Sequence, residues 1–181
     1  MACSTHVICF GNELHGDDGF GPALHAELTG LGLPPDTRLM RADAASPSAI
    51  DCFEGCDQVL VIDALSGYGP PGSLHVLAAE AIAREEIAGH GAGVGCLLET
   101  VLKVLPQPPQ ISIVGVEADR IDPFRPGLSR AVAAAMPAVP SSPCWCRDAP
   151  RPTLRTESPA RNLHASRYAD SIRLSTEKSI A

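Results

Sequence analysis

The feature that most constrains the fold is a series of short apolar segments that alternate with stretches of helical spacing. The clearest segment is residues 58–62, Gln-Val-Leu-Val-Ile, which is apolar on both faces, as a central strand of a parallel sheet must be. Segments 6–10, 38–42, 73–77 and 111–116 are predicted as further strands. Strands separated by helices form right-handed βαβ units with helices on both faces of the sheet. The sequence therefore predicts an α/β fold, a three-layer α/β/α sandwich with a mostly parallel sheet of about five strands.

Helical signals lie between and after these strands. One helix is predicted to begin near Asp18, and a second begins at Ser46, where Pro47 suits the first turn. Residues 79–88 are weakly helical, and apolar positions recur with helical spacing over residues 97–105. An Ala-rich helix over residues 126–136 closes the predicted domain.

Composition divides the chain near residue 136. Residues 1–136 hold seven Lys and Arg against seventeen Asp and Glu, a net charge of −10, whereas residues 137–181 are rich in Pro, Ser and Arg and carry +3. We predict one α/β domain over residues 1–136 and a poorly ordered tail over residues 137–181, whose composition cannot easily bury a core. The acidic domain would repel phosphates, so nucleic acid is an unfavourable partner, and cations or basic surfaces are favoured.

The sequence also bears on compartment and cysteine chemistry. No apolar run reaches the roughly 18 residues that span a bilayer, and no basic residue precedes an apolar stretch at the start of the chain. We therefore expect a cytoplasmic protein that does not enter membranes. The seven cysteines are an odd number with no secretory signal ahead of them, so they are expected to be reduced thiols. Their spacing also forms no four-ligand zinc pattern.

Five polar residues are candidates for chemistry because ligands of open α/β sheets collect beyond the carboxyl ends of the strands. Asp17 and Asp18 follow the first predicted strand, Asp43 follows the second, and Asp63 ends the central one. His90 lies in a Gly-rich loop before a helix. Two carboxylates and an imidazole suit a divalent transition metal.

All of these residues except Asp43 are also given a purely structural interpretation. Asp17 or Asp18 could cap the helix that follows, and one acid suffices for that. Asp63 could accept hydrogen bonds from a neighbouring loop, although an acid directly after an all-apolar strand is costly without a purpose. His90 could be an ordinary exposed imidazole in its loop.

The loop over residues 11–21, Gly-Asn-Glu-Leu-His-Gly-Asp-Asp-Gly-Phe-Gly, does not fit a nucleotide site. A phosphate-binding loop needs Lys and Ser or Thr after its second glycine, whereas this loop places two negative charges there. Its glycines also miss the dinucleotide-binding register. Oxygen ligands on glycine-permitted turns suit a cation instead.

The same loop resembles the opening motif G-N-x-L-x-x-D-[DE]-G-x-G of the hydrogenase maturation endopeptidases, which trim the large subunit of nickel-iron hydrogenases. Asp63 is similar to the acid that ends a strand in that family, and residues 90–94, His-Gly-Ala-Gly-Val, are similar to its H-x-x-G-[LV] segment. Asp43 resembles the acid that the family places after its second strand. The resemblance covers residues 6–136.

The resemblance implies a cytosolic protease that removes a short C-terminal peptide from the nickel-loaded large-subunit precursor of a nickel-iron hydrogenase. It assigns nickel contacts to Asp18, Asp63 and His90, and it makes Asp43 a supporting acid or substrate contact, so these four are the expected catalytic residues. The nickel belongs to the precursor, and no permanently bound cofactor is expected. We expect a monomer whose partner is the precursor.

Two other functions fit the same fold. One is a non-catalytic nickel chaperone or metal-sensing binding module, which cleavage of the precursor would distinguish from a protease. The other is a flavodoxin-like domain with an organic cofactor, which would make the purified protein coloured or ultraviolet-absorbing.

Overall fold

The computed structural model of the chain describes residues 4–44, 46–79, 82 and 93–138. The strands are β1 (Thr5–Cys9), β2 (Thr37–Arg41), β3 (Gln58–Leu65), β4 (Leu74–Ala78) and β5 (Gln110–Glu117). The α-helices of these residues are α1 (Phe20–Thr29), α2 (Val94–Val104) and α3 (Arg130–Ala135). Short 3-10 helices span Gly16–Gly19, Pro47–Phe53 and Met136–Ala138.

The five strands form one sheet in the order β2-β1-β3-β5-β4. The pairs β1–β2, β1–β3 and β3–β5 are parallel, and only the edge strand β4 is antiparallel, to β5. Eight residues, 66–73, separate β3 from β4. This connection is too short for the crossover that a parallel strand needs, so the chain reverses direction there. The predicted five-stranded, mostly parallel sheet is confirmed.

Each face of the sheet is covered by its own apolar layer, which confirms the predicted three-layer α/β/α sandwich. The central strand β3 supplies both layers, because its successive side chains point to opposite faces. Val59 and Val61 belong to the layer that contains Phe53 and α2. Leu60 and Ile62 belong to the layer that contains α1 and α3. This double burial explains why all four residues 59–62 are apolar.

The first strand and the first helix approach each other closely at Gly21. A Cβ atom at Gly21 would lie 1.9 Å from the carbonyl oxygen of Phe10, so no larger residue fits there without moving the backbone. The start of α1 is therefore fixed against the end of β1. This contact sets the position of the loop between them, residues 10–19.

Several predicted element bounds are corrected by the structure. β3 does not end at Asp63 but continues to Leu65, because Asp63 to Leu65 pair with Gly115 to Glu117 of β5. Asp18 lies in the 3-10 helix Gly16–Gly19, and α1 begins only after it. The segment after Ser46 is a 3-10 helix and not an α-helix.

The closing helix is shorter than predicted and begins at Arg130, where the Ser129 hydroxyl accepts a hydrogen bond from the Val132 N–H. Most of the weak helix expected over residues 79–88 lies outside the described residues, as does the tail beyond residue 138. Among the helices of the described ranges, none has the length and apolar character to cross a membrane.

Candidate active site

The carboxyl ends of β1, β2 and β3 lie side by side. The Phe10 N–H donates to the Ile62 carbonyl at 2.9 Å, and the Ala42 N–H donates to the Cys9 carbonyl at 3.2 Å. Asp43 directly follows Ala42 on the β2 side of β1, and Asp63 directly follows Ile62 on the β3 side. The two acids therefore lie on opposite sides of the end of β1. Parallel strands are roughly 4.8 Å apart, so the two backbone positions are separated by about two strand spacings.

The loop after β1 brings Asp18 back to the end of that strand, between the positions of Asp43 and Asp63. Gly11 has φ +113°, and a Cβ atom there would lie 2.0 Å from the Asp18 carbonyl oxygen and 3.4 Å from its Oδ1. The next N–H, of Asn12, donates to Asp18 Oδ2 at 2.8 Å. Gly11 thus permits a contact that any side chain would prevent, and this contact holds the Asp18 carboxylate over the end of the strand.

The Asp18 carboxyl is affected both by its burial and by the charged groups around it, Asp43 among them. Burial raises the pKa of the half-buried Asp18 carboxyl above its usual value, the hydrogen bond from Asn12 and the charge of His15 lower it, and the negative charge of Asp43 raises it. Such a carboxylate is less stable in its charged form than a solvated one and gains from a nearby positive charge. Carboxyl groups in this state are common at functional sites.

Asp63 and Asp43 differ in exposure. Asp63 is half-buried within β3, and its Oδ1 accepts a hydrogen bond of 2.8 Å from the N–H of Ala64. Asp43 is exposed after β2, where its carbonyl accepts from the Ser46 N–H at 3.0 Å. The structure therefore brings the backbone positions of three of the four expected site residues to one edge of the sheet.

His90, the fourth expected residue, lies outside the described residues. Within the described part of the chain, no group of three or more His, Cys, Asp or Glu side chains is arranged to hold a metal ion. The metal-binding trio of Asp18, Asp63 and His90 stays a prediction.

Asp17 has a structural role that the sequence did not reveal. Its side chain is completely buried; Oδ2 accepts from the N–H groups of Asp119 and Arg120 at 2.9 and 3.0 Å, and Oδ1 accepts from the Ser129 N–H at 2.5 Å. The expectation that Asp17 or Asp18 caps the following helix is wrong, since the N-cap of α1 is Gly19, without a side-chain cap. Asp17 instead fastens the loop that carries Asp18 to residues 119–129. The signal that could have indicated a second role was the presence of two acids where a cap needs one.

Glu117 fastens another loop at this edge. This buried carboxylate ends β5 and accepts from the N–H groups of Gly67 and Tyr68 at 2.7 and 2.9 Å. The loop of residues 66–73, which follows β3, is thereby tied to the neighbouring strand. An acid at the end of an apolar strand was the available signal, the same one that singled out Asp63.

Ser73 and His75 form a close pair, with 2.8 Å between Ser73 Oγ and His75 Nε2. The Ser73 hydroxyl also donates to the Pro70 carbonyl at 2.7 Å. Because a hydroxyl has one proton to donate, His75 Nε2 must be the donor to Ser73. The imidazole nitrogen therefore carries its proton and does not act as the base of a nucleophilic serine here.

A protein-family model described as HycI, hydrogenase maturation protease, matches residues 24–142. The chain belongs to the hydrogenase maturation protease family. It is a peptidase, as expected from its resemblance to that family. The matched range contains Asp43, Asp63 and His90 but begins after the loop that carries Asp18. The assignment of Asp18 to the site therefore depends on its sequence motif and on its contact with Gly11.

Solved structures of hydrogenase maturation proteases share this fold. The endopeptidase HybD from E. coli is 22% identical over 75% of this chain and 86% of that chain, with a TM-score of 0.63. HycI from Thermococcus kodakarensis KOD1 is 17% identical, over 76% and 87%, with a TM-score of 0.60. The hydrogenase 2 maturation peptidase from Thaumarchaeota archaeon SCGC_AB-539-E09 is 27% identical over 75% and 91%, with a TM-score of 0.53. No curated protein matches the chain significantly.

Proposed function

We propose that this peptidase removes a short C-terminal peptide from the nickel-loaded large-subunit precursor of a nickel-iron hydrogenase. The family match supports the proposal, and so do the names of its structural relatives, a hydrogenase maturating endopeptidase and a hydrogenase 2 maturation peptidase. The observation that carries it is the carboxylate of Asp18 at the end of β1, between the positions of Asp43 and Asp63.

We propose that the carboxyl edge of the sheet recognises the nickel ion of the precursor. Asp18, Asp63 and His90 contact the ion, while Asp43 is a supporting acid or contacts the substrate. The carboxylates favour a divalent cation, because burial leaves the Asp18 charge poorly solvated until a positive charge approaches. The ion arrives with the substrate and leaves with the product, so the peptidase keeps no cofactor of its own.

The reaction is hydrolysis of one peptide bond. Water adds to the carbonyl carbon, the carbon–nitrogen bond breaks, and the leaving nitrogen takes a proton. Two groups at this edge can activate the water or the carbonyl: the positive charge of the nickel and an ionised carboxylate acting as general base. In both cases the peptide must lie against the carboxyl ends of β1, β2 and β3.

The test is to incubate the full-length protein with nickel-loaded precursor and, in parallel, with nickel-free precursor. Mass spectrometry of the large subunit should show loss of a short C-terminal peptide only in the nickel-loaded sample. Nickel-dependent binding without cleavage, under conditions where a related protease cuts its own precursor, would instead support the chaperone or sensing module.

Variants test the site residues. Asp18→Asn, Asp63→Asn and His90→Ala should each lower the processing rate by about 100-fold or more, the usual scale for removing a group that acts on the reacting atoms. Asp36→Asn is the matched control, because Asp36 precedes β2, at the amino ends of the parallel strands and away from the candidate site. A variant that processes the precursor at the wild-type rate would remove its residue from the site.

We also propose that the protein acts in the cytoplasm as a monomer, in keeping with the cytosolic proteases that its motifs resemble. Light scattering of the purified chain tests the oligomeric state. Fractionation of cells that express it tests the location.

A further inference from the structure

A small apolar surface lies beside the candidate active site. It consists of Leu14, His15 and Phe124, called here the Leu14–Phe124 patch. Leu14 is 49% exposed, and Phe124, at 86%, is the most exposed large apolar side chain of the described residues. The His15 ring packs edge-on against Phe124, with ring centroids 6.3 Å apart and an interplanar angle of 74°. The patch thus joins the loop before Asp18 to the segment after β5.

The backbone holds this patch in place at a cost. Phe124 has φ +58°, and no other non-glycine residue within the described ranges has a positive φ. A bulky residue avoids this conformation, so neighbouring contacts must enforce it. The Arg125 N–H donates to the Leu14 carbonyl at 2.9 Å, and His15 and Arg125 form a β-bridge. Strained residues that the surrounding structure enforces are concentrated at binding and catalytic sites.

The charged residues adjacent in sequence to Leu14 and Phe124, Glu13 and Arg125, each form an ion pair. Arg41 contacts Glu13 at 3.5 Å, and Arg125 contacts Asp122 at 3.4 Å. Each pair cancels the charge that a partner would otherwise meet at the border of the patch. The surface that remains is complementary to an uncharged, apolar segment.

The patch is also continuous with the edge where the proposed cleavage takes place. His15 and Asp18 lie three residues apart in one loop. A polypeptide whose bond reaches Asp18 therefore has flanking residues within reach of the Leu14–Phe124 patch.

We propose that the Leu14–Phe124 patch docks an uncharged, apolar segment of the hydrogenase large-subunit precursor next to the bond that is cut. This inference rests on the proposed function for the identity of its partner. The patch contributes to substrate affinity and takes no part in the bond-breaking step.

Steady-state processing of nickel-loaded precursor tests the patch. Phe124→Ala should raise KM about tenfold, the loss expected for one buried aromatic contact, and leave kcat within about twofold of wild type. Phe124→Tyr keeps the ring and should keep KM near the wild-type value. Leu14→Gln should raise KM by a smaller factor.

The matched control is Leu31→Ala, since Leu31 is also 49% exposed but lies just beyond the end of α1. Its KM should not change. Circular dichroism melting of each variant should match wild type, because the altered side chains are exposed.

Calorimetric binding of the precursor distinguishes failure of this inference from failure of the proposed function. Wild-type protein that binds the precursor without cutting it would refute the proposed function, and a tenfold weaker association of Phe124→Ala would still support the patch. If Phe124→Ala and Leu14→Gln keep both KM and Kd within twofold of wild type, the patch is not the docking surface. Absence of both binding and cleavage by the wild-type protein would overturn the two proposals together.

Discussion

Two loops at the carboxyl edge of the sheet are each held by one buried carboxylate, but the first is held by an acid of its own, Asp17, and the second by Glu117 of the neighbouring strand β5. Asp17 fastens the loop of residues 10–19 through three backbone N–H groups, and Glu117 fastens the loop of residues 66–73 through two. In the first loop the next residue, Asp18, accepts one backbone N–H, from Asn12. The comparison shows that Asp17, which accepts three backbone N–H groups, positions a neighbour, Asp18, whose carboxyl pKa is raised by burial.

The largest expected effect is on the fully bonded acid. Asp17→Ala removes the acceptor of three backbone N–H groups, the one from Ser129 being buried, so we expect a loss of about 3 kcal/mol or more in the free energy of unfolding. Urea denaturation followed by circular dichroism measures this change. Asp17→Asn, which keeps one acceptor oxygen, should lose less. Stability equal to wild type in Asp17→Ala would show that the N–H groups find other acceptors.

An intermediate effect is expected at the second fastening residue. Glu117→Gln replaces one accepting oxygen by an amide group, which leaves either Gly67 or Tyr68 without its partner. We expect a loss of about 1–2 kcal/mol in the free energy of unfolding. Amide hydrogen exchange should increase at residues 67 and 68 more than in the core of β3. Unchanged exchange there would mean that the loop is held by other contacts.

The smallest effect on stability is expected at Asp18. Burial raises the pKa of the Asp18 carboxyl in the folded state, so folding favours its protonated form. Ionised Asp18 therefore destabilises the folded state. This destabilisation grows as pH rises from the unfolded-state pKa through the folded-state pKa. Asp18→Asn removes this titration. Relative to wild type, the variant should therefore gain stability between about pH 4 and neutral pH, while its processing activity is lost. Thermal melting at several pH values provides the measurement, and a gap that closes as pH rises would contradict the assignment.

Local sequence patterns were enough to predict the sheet and to select candidate site residues. Residues 58–62 identified a central strand, and the rule that ligands meet carboxyl ends selected Asp17, Asp18, Asp43, Asp63 and His90 before the order of the strands was known. The same patterns did not show where β3 ends, because pairing with Gly115 and its successors is a contact between distant segments. The reversal at β4 likewise followed from the short connection and not from the composition of that strand.

The roles of Asp17 and Glu117 in holding their loops could not be predicted from local sequence patterns, for a related reason. Asp17 bonds to backbone groups 102 to 112 residues later, and Glu117 to groups 49 and 50 residues earlier. Backbone N–H groups leave no signature in the residue types that carry them. Phe124 was missed as well, because a positive φ at a residue other than glycine is imposed by its surroundings.

The bonds of Asp17 have a consequence for the order in which the molecule matures. The three N–H groups that donate to the Asp17 side chain belong to residues 119–129. These residues leave the ribosome about a hundred residues after the loop itself. In a nascent chain this acidic loop therefore stays without these anchoring contacts until residues 119–129 have been made.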